Sequence, residues 1–228
     1  MKTILFSGGF DSTCILNRLA KENDEVHVVM IEPDFIKGKL NRERVSRREI
    51  INKIKEKYNC RIITSTVSLG TDDCDHIDCT GLTQPLFWLP VAFMTSANNE
   101  DTEIYFGYNL GDQCTCHIKD IENMCKALSN FREGKNIIPY FPLKYKSKAE
   151  IIEELFLDDK SLLNLCTTCE HRSLNDWCGE CECCKEFKLA LLKIIMDKNH
   201  CSELHEWCRE VLLTKFAMNI EVSYIKED

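Results

Sequence analysis

The sequence has no long apolar run among its 228 residues. The longest stretch, around Pro85 to Met94, is too short to cross a bilayer and ends in Thr95-Ser96-Ala97-Asn98-Asn99. Lys2-Thr3-Ile4-Leu5-Phe6 enters a strand pattern at once, so a secretory leader is not expected either. We therefore expect no membrane association and a cytoplasmic location. There is no excess of positive charge: 29 Lys and Arg stand against 37 Asp and Glu, for a net charge of −8. A surface that holds a phosphate backbone is basic overall or in a clear stripe, so nucleic acid is not expected as the main partner. The basic clusters Lys37 to Arg48 and Lys144 to Lys148 read as solvated loop-and-helix faces. Internal repeats and low-complexity tracts are also absent.

Cysteine, by contrast, is abundant, with fifteen in the chain. In a reducing compartment these are metal ligands, catalytic thiols or small buried hydrophobes rather than disulfides. Eight lie from Cys166 onward, where the composition shifts. We expect an α/β domain over residues 1–165 and a cysteine-rich, helical appendage over 166–228.

The first two thirds alternate between strand and helix patterns. Apolar β runs appear at 2–6, 25–31, 61–67 and 103–107. Helical spacing appears at 13–21 and at 41–57, the latter with Val45, Ile50, Ile51 and Ile54 along one side. Further helices are expected at about 86–97 and at 118–131, with a polar loop over 70–83. Continuous apolar strands separated by helices imply a parallel sheet covered on both faces, a doubly wound α/β fold. Such sheets bind ligands beyond the carboxyl ends of their strands, where the loops after the first and fourth strands meet.

The loop after the first strand is Ser7-Gly8-Gly9-Phe10-Asp11-Ser12. Adjacent glycines let an anion approach the backbone amides, and the helix start behind them supplies unpaired N–H groups. Ser7, Ser12 and Thr13 add hydroxyls. Asp11 either holds magnesium or caps the helix. A Walker A loop is excluded because no Gly-Lys-Ser/Thr follows, and the three spaced glycines of a dinucleotide site are absent.

Cys166 and Cys169 are followed by Cys178, Cys181, Cys183 and Cys184, a density and spacing suited to tetrahedral zinc. Six thiols compete for four positions. A structural zinc site can supply about 10–16 kcal/mol of apparent binding energy to folding.

The Ser-Gly-Gly-x-Asp-Ser loop resembles the PP-loop of N-type ATP pyrophosphatases. Joined to Cys178-Gly-x-Cys181-x-x-Cys184, it is similar to the 7-cyano-7-deazaguanine synthase family. Gly107-Tyr108-Asn109-Leu110-Gly111-Asp112 resembles that family's Gly-x-Asn-x-x-Asp segment. Pro142-Leu143 and Lys148-Ala149-Glu150-Ile151 resemble its Pro-Leu and Lys-x-Glu-Ile stretches. The resemblance implies an adenine nucleotide alpha hydrolase-like, Rossmann-like fold. It also implies an adenylating carbon–nitrogen ligase of queuosine biosynthesis, using ATP, magnesium and zinc. The nucleotide would be held by Phe6, Ser7, Gly8, Gly9, Phe10, Asp11, Ser12, Thr13, Met30, Gly107 and Asp112. Asp11, Ser12 and Lys148 would be catalytic, and Cys169, Cys178, Cys181 and Cys184 would be the zinc ligands, with Cys166 and Cys183 spare. The implied reactants are a 7-carboxy-7-deazaguanine carboxylate and ammonia.

The chain also departs from the family. Pro85-Leu86-Phe87-Trp88 lacks the family's Arg-Asn pair, Gln113-Cys114-Thr115-Cys116-His117 replaces a Tyr-Pro-Asp-Cys-Arg run, and Phe187 stands where an arginine is expected. The activated acid or the amine therefore has room to differ, and tRNA thiolation is a further PP-loop alternative. Asp72 to Cys79 reads as a polar loop or a second metal site. Cys114 and Cys116 read as spectators or nucleophiles. Apolar residues near 86–94 and in the tail are either core or the contact of a homodimer.

Overall fold

The computed structural model describes residues 1–33, 37–69, 101–131, 135–169 and 177–218. The expected helix at 86–97, the loop at 70–83 and Pro85 to Trp88 lie outside the described residues. The chain divides into two compact units, Met1–Thr168 and Cys169–Asp228.

The first unit is built on β1 (Lys2–Leu5), α1 (Phe10–Glu22), β2 (Glu25–Pro33), α2 (Lys37–Lys57), β3 (Arg61–Leu69) and β4 (Thr102–Tyr105). A 3-10 turn (Gln113–His117), α3 (Ile118–Asn130), β5 (Ile137–Tyr140) and α4 (Lys148–Leu165) complete it. The five strands form one parallel sheet in the order β3-β2-β1-β4-β5. Strands buried on both faces need apolar residues at consecutive positions. Ile4 and Leu5 meet that need in β1, as do Val28 and Val29 opposite them in β2. One face carries a core of Leu5, Val29, Ile31, Ile104 and Phe106 closed by Ile121 and Cys125 of α3. Helices α1, α2 and α4 pack against one another.

The doubly wound expectation holds, and the strand order shows where the winding reverses. β2 and β3 build outward on one side of β1, and β4 and β5 on the other. The crevice of such a sheet opens at that reversal, beyond the ends of β1 and β4. The strand β5 has no counterpart in the sequence reading. It is short, contains Pro139 and leaves Ile138 and Tyr140 partly exposed at the sheet edge, so it lacks a full apolar run.

The second unit contains α5 (Glu182–Met196) and α6 (Ser202–Phe216), which pack together through a core that includes Leu191, Ile194, Leu204, Trp207 and Leu212. No helix among the described residues is long and apolar enough to cross a membrane.

Candidate functional site

The glycine loop leaves β1 and enters α1 with Gly9 as the N-cap, and no side chain caps the helix. The contrast is α4, where Ser147 and Glu150 form a complete capping box. A helix start without a side-chain cap leaves the positive end of the helix dipole facing an anion. Within the loop, Ser7 Oγ accepts from Gly9 N (3.2 Å) and lies 3.0 Å from Ser12 Oγ. Of the hydroxyls that the sequence offered as ligand donors, those of Ser7 and Ser12 hold the loop's own shape. The side chains of Phe6 and Phe10 are buried in the core, and Phe6 N donates to Val29 O at 2.8 Å.

Gly8 adopts φ +83°, a conformation that disfavours a Cβ. Its carbonyl accepts from Thr167 N at 3.0 Å. A Cβ on Gly9 would lie 3.0 Å from Thr168 Cγ2, so a side chain there would make that threonine give way.

Opposite the loop, the segment after β4 comes equally near. A Cβ on Gly107 would lie 3.3 Å from both Asp11 Cβ and Ser12 N. Asn109, 3% exposed, donates through Nδ2 to Asp11 Oδ1 (3.3 Å) and accepts from Gly111 N (2.8 Å) through Oδ1. Lys148, the first residue of α4, forms an ion pair with Asp11 Oδ2 at 2.5 Å. Asp112 caps the 3-10 turn by accepting from Cys114 N at 2.7 Å. Burial, reinforced by the charge of Asp11, raises its pKa above the ordinary carboxylate value. The structure therefore brings Asp11, Ser12, Gly107, Asp112 and Lys148 to one crevice. Met30, half-buried near the end of β2, pairs with Thr66 of β3 on the neighbouring stretch of rim.

The basic stretch from Lys37 to Arg48 is not a solvated face throughout. Arg47 is 3% exposed and Ser46 is also buried, whereas Val45, expected on the apolar side of α2, is 46% exposed. Arg47 donates to Ser7 O (3.0 Å), to Ile31 O (3.4 Å) and to Glu43 (2.8 Å). Burial lowers its pKa, and the carboxylates of Glu43 and Glu32 act against that shift. Ser46 Oγ donates to Leu165 O at 2.6 Å. The signal was present in the spacing: Arg47, Ile50, Ile51 and Ile54 fall on one helical stripe.

Cys114 is not poised as a nucleophile, because burial and the nearby Asp112 push its thiol up to about 12. The alternative metal site at Asp72 to Cys79 lies outside the described residues. An open cleft along α4 is lined by Lys146, Glu150, Glu153, Glu154, Leu157 and Asp158. Its acidic wall is unsuited to a triphosphate, and it shares no residue with the glycine loop.

In the second unit, the thiol sulfurs of Cys169, Cys178, Cys181 and Cys184 all lie within 4.8 Å of one another. Tetrahedral zinc with bonds of about 2.3 Å separates its sulfurs by about 3.8 Å, and Cys178 and Cys184 are 3.8 Å apart. The quartet thus fits such an ion. Cys178 Sγ accepts from the amides of Glu180 (3.4 Å) and Cys181 (3.3 Å), a turn that Gly179 makes possible at φ +74°. Cys166 and Cys183 are outside the quartet. Phe187 is buried against Trp177 and Phe216 beside these cysteines, with ring centroids 4.7 and 6.1 Å away.

Comparison with known proteins identifies the family. The family model described as Queuosine biosynthesis protein QueC matches residues 2–195. A 7-cyano-7-deazaguanine synthase from Pseudoalteromonas atlantica is 25% identical over 224 residues, which cover 90% of this chain and 97% of that protein. Among solved structures, the NMN synthetase of Francisella tularensis aligns with a TM-score of 0.48 and 14% identity, over 98% of this chain and 89% of that one. With a two-glycine loop at the reversal of a parallel sheet and a family match over most of its length, the chain belongs to the QueC family of queuosine biosynthesis proteins and is an ATP-using enzyme of the ligase type.

Proposed function

We propose that this enzyme activates the carboxylate of 7-carboxy-7-deazaguanine with ATP and converts it, by way of the amide, to the nitrile. The observation that carries the reading is the convergence of Asp11, Asn109 and Lys148 on the uncapped start of α1. That crevice offers amides, a cation and a carboxylate to a triphosphate, and the curated relative bears the name of a 7-cyano-7-deazaguanine synthase.

In this reading a carboxylate oxygen attacks the α-phosphorus of ATP and pyrophosphate leaves. Ammonia then adds to the acyl carbon, AMP departs, and an amide remains. A second ATP activates the amide oxygen in the same way, and loss of AMP with the amide protons forms the nitrile. The chain's part is positioning and charge stabilisation. The Gly8 amide and the start of α1 at Asp11 and Ser12, with Gly107 beside them, receive the pyrophosphate end, and Met30 lies along the adenine. Lys148 turns its ammonium from Asp11 toward the developing phosphate charge. Asp11 and Asp112 would hold magnesium, whose charge offsets that of the triphosphate. Cys169, Cys178, Cys181 and Cys184 would hold zinc, which stabilises the fold of the second unit.

A second reading keeps the ATP chemistry and changes the acid or the amine. Phe187 favours it, because an aromatic ring packed against Trp177 and Phe216 supplies no cation where the family has an arginine. The reading includes a cytoplasmic enzyme whose substrates are small molecules, and a homodimer is the oligomer it allows. The deciding assay incubates the enzyme with MgATP, ammonium and 7-carboxy-7-deazaguanine and follows products by mass spectrometry. A nitrile with stoichiometric AMP and pyrophosphate is expected. An enzyme that binds ATP but leaves this acid unchanged selects the second reading.

A further inference from the structure

We infer that Arg47, which lies outside every motif of the site, is the positioning residue that aims the nucleotide loop and thereby sets the affinity for ATP. The inference rests on the assignment of the Ser7–Ser12 loop to ATP. One nearly inaccessible guanidinium donates to two main-chain carbonyls, Ser7 O at 3.0 Å and Ile31 O at 3.4 Å. Ser7 lies two residues beyond the end of β1, and Ile31 lies near the end of β2, its parallel neighbour. The same side chain is tethered by Glu43 at 2.8 Å, with Glu32 at 3.9 Å. Its stem carries the loop as well, since a Cβ on Gly8 would lie 3.1 Å from Arg47 Cγ.

Peptide planarity converts this anchoring into function. In a trans peptide the carbonyl and the following N–H point in opposite directions. A Ser7 carbonyl held by Arg47 therefore turns the Gly8 N–H away from the guanidinium. Gly8 has no side chain to set that direction, and its backbone lies in the left-handed region. The fork also ties the loop to Ile31, so the phosphate-binding and adenine-facing parts of the rim keep a fixed spacing. A lysine supplies one ammonium on a flexible stem and cannot hold two carbonyls in fixed directions.

The test is titration calorimetry of the full, zinc-loaded chain with MgATP, read together with thermal unfolding and the Michaelis constants. Arg18→Lys serves as the control, because Arg18 pairs with Glu154 on the far side of α1, away from the loop. Arg47→Lys is expected to bind MgATP roughly tenfold or more weakly, with a raised KM for ATP and a kcat closer to that of the wild type. Arg18→Lys is expected to lose comparable thermal stability and bind as the wild type does. Wild-type affinity in folded Arg47→Lys overturns the inference, as does equal weakening in Arg18→Lys. Should Arg47→Lys not fold, Glu43→Gln keeps the fork and removes its tether; weaker MgATP binding supports the inference, and unchanged binding overturns it. A wild-type chain that does not bind MgATP overturns the loop assignment itself.

Discussion

Lys148 and Asp11 are joined by an ion pair across 137 positions of sequence, from the first residue of α4 to the second residue of α1. Both side chains are mostly buried, so the pair is shielded from solvent and holds the two helix starts together. The pairing answers a question the sequence left open, whether Lys148 reaches the loop or only opens its helix. It does both, because the Ser147–Glu150 capping box fixes the helix start and aims its first side chain at Asp11.

This pair sets the first prediction. Asp11→Ala is expected to abolish AMP formation while leaving the circular dichroism spectrum and zinc content unchanged. Lys148→Met is expected to lower kcat by about 10²-fold or more, the range for removing one preorganised charge from a transition state. Normal turnover in either variant, measured by AMP release, would remove that residue from the chemistry.

Gly107 gives the second. An alanine there brings a Cβ to 3.3 Å from Asp11 Cβ and Ser12 N, and one of these is backbone at the start of a helix. The crevice must widen by a few tenths of an ångström. Gly107→Ala is expected to raise the KM for ATP about tenfold, a cost of about 1.4 kcal/mol, with little change in melting temperature. The same substitution at Gly111, where the nearest atom is 3.5 Å away, serves as the neutral comparison.

The cysteines can be sorted by metal analysis. Single serine replacements at Cys169, Cys178, Cys181 or Cys184 are expected to cut bound zinc below stoichiometry and to destabilise the second unit. Cys166→Ser and Cys183→Ser are expected to retain one zinc per chain by mass spectrometry. Full zinc in Cys184→Ser, or its loss in Cys183→Ser, would redraw the ligand set.

Cys114 is expected to resist iodoacetamide at neutral pH, because its thiol is pushed up to about 12, and Cys114→Ser is expected to keep turnover within about twofold. Exposed Cys116 provides the internal standard for alkylation, read by peptide mass mapping. Rapid labelling of Cys114 with parallel loss of activity would restore it as a nucleophile.

The last prediction concerns acid stability. Burial raises the pKa of Glu154, but hydrogen bonds from Arg18 and Lys146 outweigh it and hold the carboxyl down to about 2, against an ordinary value of 4.5. A depressed carboxyl stabilises the fold fully above its unfolded value, and that contribution is lost as pH falls from about 4.5 toward 2. Glu154→Gln is therefore expected to melt lower than the wild type near neutral pH, with the gap closing on acidification. A gap that stays constant with pH would separate Glu154 from the acid response.

Local pattern carried much of this protein. The apolar runs of β1 to β4, the adjacent glycines at Gly8-Gly9 and the spacing of Cys178, Cys181 and Cys184 were all legible, because each answers to contacts within a few residues. Short, proline-containing β5 was not, since its strand character comes from pairing with β4 rather than from its own residues. Within α2, Val45 and Arg47 exchanged the places that hydrophobicity alone assigns them. The carbonyls of Ser7 and Ile31 and the carboxylates of Glu43 and Glu32 make a buried position where a guanidinium is satisfied.

The sequence by itself determined the parallel α/β class, the two-glycine loop proposed to meet ATP and a cysteine cluster suited to a metal. Periodicity, glycine and thiol spacing are properties of the chain read in order. Only the tertiary structure decided that Lys148 faces Asp11, that Asn109 bridges to it, and that Arg47 stands behind Ser7. Those relations join residues 137, 98 and 40 positions apart. They exist because the reversal of strand order beside β1 brings the starts of α1 and α4 and the end of β4 to one crevice, which no local pattern records.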